Sequence, residues 1–212
     1  MHQVSPVVFL LVLVVLLAGC GRSVPPVPVD ARGQPAHAAP ELPWLGKGRI
    51  AIAFAAWRAS AQVIVRGEPD GRARLAVVGD EGLLLLDVSV DPSQPGDGWY
   101  RIESVVEPVK EAAPHLARIA LHAFGLPAEK RRWDNDVLVG ATRFGDRIYG
   151  GDPILLRLVE GHGLTLELAD WRPFDGELAP WSVRALGPLG LTMTIILKEV
   201  RHLPSPGDSA PR

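Results

Sequence analysis

The strongest constraint on the fold is an alternation. From Arg49 to Trp57, Ile50, Ile52 and Phe54 fall on one side, and Ala51, Ala53 and Ala55 fall on the other. Successive side chains of a β-strand point to opposite faces, so a period of two predicts a half-buried strand. The small-residue face would let another surface approach closely. Ala61, Val63 and Val65 continue the period after a short break. Glu68-Pro69-Asp70-Gly71 then reads as a turn, because Pro presets one dihedral and Gly accepts a positive one. A hairpin partner follows at Arg72 to Val78, with a second turn at Gly79-Asp80-Glu81-Gly82. Leu83 to Val90 opens with four leucines and is expected to be covered on both faces. Gly98 to Val106 is a further strand.

One helix interrupts the strands. Leu116, Ile119, Ala120 and Ala123 share a face at helical spacing, with Pro114 suited to the first turn and Gly125 to the stop. His115, Arg118 and His122 are expected on its polar side. After a charged loop over 128–136, strands are predicted at Val137 to Phe144, Ile154 to Val159, Leu164 to Trp171, Trp181 to Leu186 and Leu191 to Val200. The last sets Leu191, Met193, Ile195 and Leu197 against Thr192, Thr194 and Lys198. Several strands, one helix and several more strands predict an α+β fold, mainly antiparallel β. The sheet is expected to be large and curved with the helix packed on its concave side, where an apolar cavity could form.

The N-terminus carries a different signal. Val7 to Leu17 is an apolar run too short for a comfortable span of roughly twenty residues, but of the right length for a signal-peptide core. Leu17-Ala18-Gly19-Cys20 follows at once and resembles the lipobox of bacterial lipoproteins: small residues beside the cut, and a thiol to carry a diacylglycerol. The segment before the run has no Lys or Arg, only His2. The expected organisation is a lipoprotein signal peptide over 1–19, then lipidated Cys20 and a Pro/Ala-rich tether over 20–43. The half-barrel domain would cover 44–203 and a disordered tail 204–212. Several acyl chains, palmitate among them, would anchor the protein stably. Gly21 in place of an aspartate favours the outer membrane, facing the periplasm.

Charge narrows the partners. The formal net charge is −2 and basic residues occur in no block that could follow a phosphate backbone, so no nucleic-acid partner is expected. The one cysteine is Cys20, which leaves no internal disulfide and no thiolate zinc site, and assigns the thiol to lipidation. His115 and His122 lie two helical turns apart, too far to share a metal, and read as surface histidines. Asp134-Asn135-Asp136 lacks the glycine and closing glutamate of a calcium loop. No Gly-x-Ser-x-Gly elbow occurs, and Gly145, Gly150 and Gly151 have no helix after them to cradle a phosphate. The expectation is therefore no catalytic residue, no metal and no cofactor. Lys130, Arg131 and Arg132 beside Trp133 read as a solvated loop, with anionic lipid or an acidic partner as the functional alternative.

Three segments carry a resemblance. They are Leu75 to Gly82 leading into Leu83 to Val90, the helix Leu116 to Phe124, and Gly187-Pro188-Leu189-Gly190-Leu191-Thr192 before the last strand. With the lipobox and the Gly48 to Ile52 opening strand, they resemble the LolA/LolB-like half-barrel superfamily, in particular small proteobacterial outer-membrane lipoproteins of unknown function. The resemblance implies a half-barrel that shields acyl chains. The chain departs from the outer-membrane lipoprotein receptor of that group in its sparse aromatics and in having only Trp57 in its first hairpin. The function expected is non-enzymatic binding of a hydrophobic or acylated ligand, in lipoprotein or lipid trafficking. Ile50, Ile52, Phe54, Leu83, Leu85, Met193 and Ile195 are the expected lining, with the concave face undecided. Docking of an accessory lipoprotein to an envelope complex is the alternative, and a hydrolase with a spatially assembled site is the least supported.

Overall fold

The computed structural model describes residues 24–54, 56–125 and 129–204. The signal peptide, the Leu17-Ala18-Gly19-Cys20 lipobox and residues 205–212 lie outside the described residues.

Twelve antiparallel strands form one sheet. Five precede the helical segment: β1 (Trp44–Phe54), β2 (Trp57–Gly67), β3 (Ala73–Val78), β4 (Leu84–Val90) and β5 (Tyr100–Val105). Seven follow it: β6 (Lys130–Asp134), β7 (Val137–Thr142), β8 (Gly145–Gly150), β9 (Leu155–Gly161), β10 (Leu164–Phe174), β11 (Glu177–Leu186) and β12 (Thr192–His202). The order is β5-β4-β3-β2-β1-β12-β11-β10-β9-β8-β7-β6. Every neighbour is thus a hairpin partner except at the centre, where β1 pairs with β12. Two meanders meet there, and the chain between them runs from one edge of the sheet to the other.

That connection holds α1 (Glu107–Lys110) and α2 (Ala113–Phe124). Helix α2 touches β2, β3, β4 and β5 and also β10. Strands β4 and β10 are six places apart, roughly 29 Å in a flat sheet, whereas a helix is about 10 Å across. One helix can touch both only if the sheet curls around it. Bulges at Lys47/Gly48, Val77/Val78, Asp87/Val88 and Ile148/Tyr149 break the pairing register and supply local twist. The expected antiparallel half-barrel with a helix on its concave side is the observed architecture.

Two segments outside the expected strands form strands. Residues 128–136 contain β6, an edge strand whose residues are all exposed and mostly charged. It has no buried face and hence no apolar period to read, and its charges discourage pairing with another sheet. Gly145 to Gly150 forms β8, whose inward side chains are Arg147 and Tyr149. Its polar inward face hides it from a hydrophobic pattern.

The proline-rich segment is also not a free tether throughout. From Val24 onward it packs on the domain, with Val27, Ala31 and Ala38 buried. Strand β10 pairs with β9 only from Leu164 to Glu167, so the start of β9 loses that neighbour. His37 fills the gap: its N–H donates to Ile154 and its carbonyl accepts from Leu156. The Val27 N–H donates to Asp136, and Leu203 donates to Pro43. A bare strand edge needs hydrogen-bond partners, and this segment provides them.

Candidate ligand-binding face

The pleat decides which residues face inward. On β1 they are Ile50, Ile52 and Phe54, and on β12 Met193, Ile195 and Leu197, all at most 4% exposed. Ile50 stands opposite Ile195, and Ile52 opposite Met193, so four of the expected lining residues form one cross-strand block at the centre of the sheet. Leu83 departs from expectation, since it precedes β4 and is 59% exposed, whereas Leu85 is partly buried and packs against the core. The bulge opposite Val77/Val78 resets the register, and Leu86, Val88 and Val90 point inward instead. The leucine run is therefore not covered on both faces at its start.

Helix α2 fills the concave side. Leu116, Ala117, Ile119, Ala120, Leu121 and Ala123 are fully buried. Its alanines let the backbone approach the sheet, while Leu116 and Ile119 fill the space between strands. Phe124 meets Trp44 edge to face, with ring centroids 5.9 Å apart. Trp44 in turn lies over Gly67, where an added Cβ would overlap the indole.

The polar side of α2 departs from expectation. His122 is buried rather than on the surface, because β8 and the turn before it cover that side of the helix. Its Nε2–H donates to the Phe144 carbonyl at 3.3 Å, which places the neutral lone pair on Nδ1, and Nδ1 has no partner. Burial first, and the Arg147 guanidinium second, push the His122 pKa down to about 3. His115 is half-buried, and burial lowers its pKa as well.

Arg147 is buried beside His122. It donates through Nη2 to the His122 carbonyl at 3.4 Å and lies 3.8 Å from Glu129. Glu129 is shared: Arg131 approaches at 2.5 Å, and the Tyr149 hydroxyl donates to it at 2.9 Å. Burial, then the Glu129 carboxylate, pushes Tyr149 up to about 12. Gly140 makes room for this carboxylate, since a Cβ there would collide with it.

The sheet has a second irregularity at β11 and β12. They pair only from Ser182 opposite Ile196 to Leu186 opposite Thr192. Beyond that, Glu177–Trp181 and Leu197–His202 separate. His202 stacks on Phe174 at 4.7 Å, and the Trp171, Trp181 and His202 ring nitrogens lack partners among the described residues. The convex side carries shallow hollows. One of about 600 Å³ lies over Ala51, Ala53, Ser60, Thr192 and Thr194, the small-residue face of the first hairpin and β12. Another of about 740 Å³ is lined by Arg66, Arg74 and Arg101, which pair with Glu68, Asp87 and Glu103. The Lys130-Arg131-Arg132 cluster lies on exposed β6, and Arg32 covers the Trp133 ring at 5.2 Å.

Among the described residues, no group of three or more His, Cys, Asp or Glu side chains could hold a metal ion, and no helix is long and apolar enough to cross a membrane.

No protein-family model and no curated protein matches the chain. Solved structures with a similar fold include a LolA superfamily protein from Nitrosomonas europaea, at 8% identity and a TM-score of 0.49, over 80% of this chain and 90% of that one. A domain described as an outer membrane lipoprotein-sorting protein, from Vibrio parahaemolyticus, matches at 8% identity and a TM-score of 0.45, over 82% and 89%. A DUF1329 family protein from Desulfovibrio piger matches at 10% identity and a TM-score of 0.42, over 76% and 86%. These are likenesses of fold alone. The half-barrel itself is read from this chain's own strand order and helix placement.

Proposed function

We propose that this protein is a non-enzymatic envelope lipoprotein, anchored through Cys20, that binds a hydrophobic or acylated ligand between its curved sheet and α2. The observation that carries this reading is the inner face of the sheet. It is apolar from β4 through β1 and β12 to β10, and helix α2 packs against it at β2 to β5 and at β10. That helix is held by apolar contacts and, at its C-terminal end, by two long hydrogen bonds of 3.3 and 3.4 Å. With α2 seated, its own side chains occupy the space, so a ligand enters as the helix moves outward. Ile50, Ile52, Phe54, Met193 and Ile195 then line the site, joined by Leu86 and Val88. Anchoring in the outer membrane, facing the periplasm, would put the domain beside acylated cargo.

The test is binding of a solvatochromic hydrophobic dye by the chain from Gly21 to Arg212, with mass spectrometry of lipid carried through purification. Saturable dye binding that acyl chains compete away is expected. A protein that neither takes up dye nor copurifies with lipid would refute the reading.

A second reading, docking to an envelope complex, is favoured by Ile196, which is 53% exposed on the convex side near the centre of the sheet. One stoichiometric protein captured from membranes by the wild type, and lost with Ile196→Asp, would support docking.

A further inference from the structure

Resting on the ligand reading above, we propose that the ligand is an anionic amphiphile whose head group is held by Arg118 and Arg147, on either side of His122. Arg147 is 1% exposed, yet its Nε has no hydrogen-bond partner and, among the described residues, its one hydrogen bond is the long one from Nη2 to the His122 carbonyl at 3.4 Å. A buried guanidinium is costly unless its charge and its donors are matched. Its ion-pair partner, Glu129, lies at 3.8 Å and is shared with Arg131 and Tyr149, which hold it more closely.

Arg118 stands one turn before His122 on α2, so the two side chains share a side of the helix. Its Nε is buried without a partner, and it makes no ion pair among the described residues. Arg147 reaches the His122 main chain from β8 and Arg118 stands one turn before His122 on α2, so the two guanidiniums flank that residue. His122 Nδ1 offers an unpartnered lone pair there, an acceptor for a hydroxyl on the head group. The cluster thus has two guanidiniums with unpartnered Nε–H groups and one carboxylate shared among three partners. An anionic oxygen would satisfy Arg147 better than the carbonyl it now reaches, and acyl chains beyond it would meet the apolar strands.

The chemistry suits a carboxylate or a phosphate, and ligands sharing one chain length separate these from an uncharged lipid. Dodecanoate, dodecyl phosphate and dodecanol are titrated into the full chain in a non-ionic detergent, as wild type and as Arg118→Gln, Arg147→Gln and Arg147→Lys. In the wild type at least one anion is expected to bind ten-fold or more tighter than dodecanol, and the tighter of the two identifies the head. Both glutamine variants should bring that ratio to within two-fold while still binding dodecanol, and Arg147→Lys should retain part of it. Equal binding of all three by the wild type overturns this inference and leaves the hydrophobic-ligand reading standing. An anion preference that survives both glutamine variants also overturns it. If none of the three binds, the ligand reading itself fails and this inference with it. Arg118 is only half-buried, so Arg118→Gln keeps the test decisive if Arg147→Gln does not fold.

Discussion

Arg147 on β8 donates to the main-chain carbonyl of His122, 3.4 Å away in the last turn of α2. The strand that the hydrophobic pattern misses is the one that meets the end of the helix that the pattern finds. A cation at a helix C-terminus faces the negative end of the macrodipole, so the contact suits both partners.

His122 makes the fold sensitive to acid. Its pKa is about 3 when folded and near 6.5 in the unfolded chain. Below 6.5 the unfolded chain takes up a proton that the folded protein refuses, so stability falls with pH at up to about 1.4 kcal/mol per unit until the folded pKa is reached. Above 6.5 this contribution is flat. Thermal unfolding of the wild type and of His122→Asn at pH 7.5, 6 and 5 checks it. The wild type should lose stability more steeply, and parallel curves would show that the ring is not held neutral.

The reassigned β4 register is tested by a pair of truncations. Ile119 on α2 is fully buried, and Ile119→Ala should cost about 2–5 kcal/mol in denaturant unfolding. Leu83→Ala, at a position 59% exposed, should stay within about 0.5 kcal/mol. A large loss at Leu83 would mean that the leucine run is covered after all.

Close packing at Trp44 gives a third contrast. A methyl group on Gly67 would overlap the indole, so Gly67→Ala is expected to lose about 1–3 kcal/mol through overpacking. Gly33 has nothing within 4 Å of an added Cβ, and Gly33→Ala should be close to neutral. Denaturant midpoints of the two variants decide it.

The anchor is tested by fractionation. Cys20→Ala is expected to release the protein from the membrane fraction or to block its processing, and acylation should disappear from intact-mass spectra. Unchanged acylation and fractionation would remove Cys20 as the lipid site.

What the sequence determined by itself was the strand-rich architecture and the two alternating faces of β1 and β12, while burial decided which of them turns inward. Ile50, Ile52 and Met193 announce those faces because strands half in water and half in a core must alternate. The helix was legible for the same reason, from Leu116, Ile119, Ala120 and Ala123. Tertiary structure decided the rest, wherever burial and polarity part company. Arg147 and Tyr149 point inward on β8, and His122 is covered from outside its own helix. Leu83 falls outside β4 and is exposed, and a β9 edge left open by β10 draws in residues that read as a tether. Each outcome depends on which distant segment covers a side chain or completes a hydrogen bond. Local periodicity carries no record of that, so the candidate head-group site emerged only once the sheet had closed around α2.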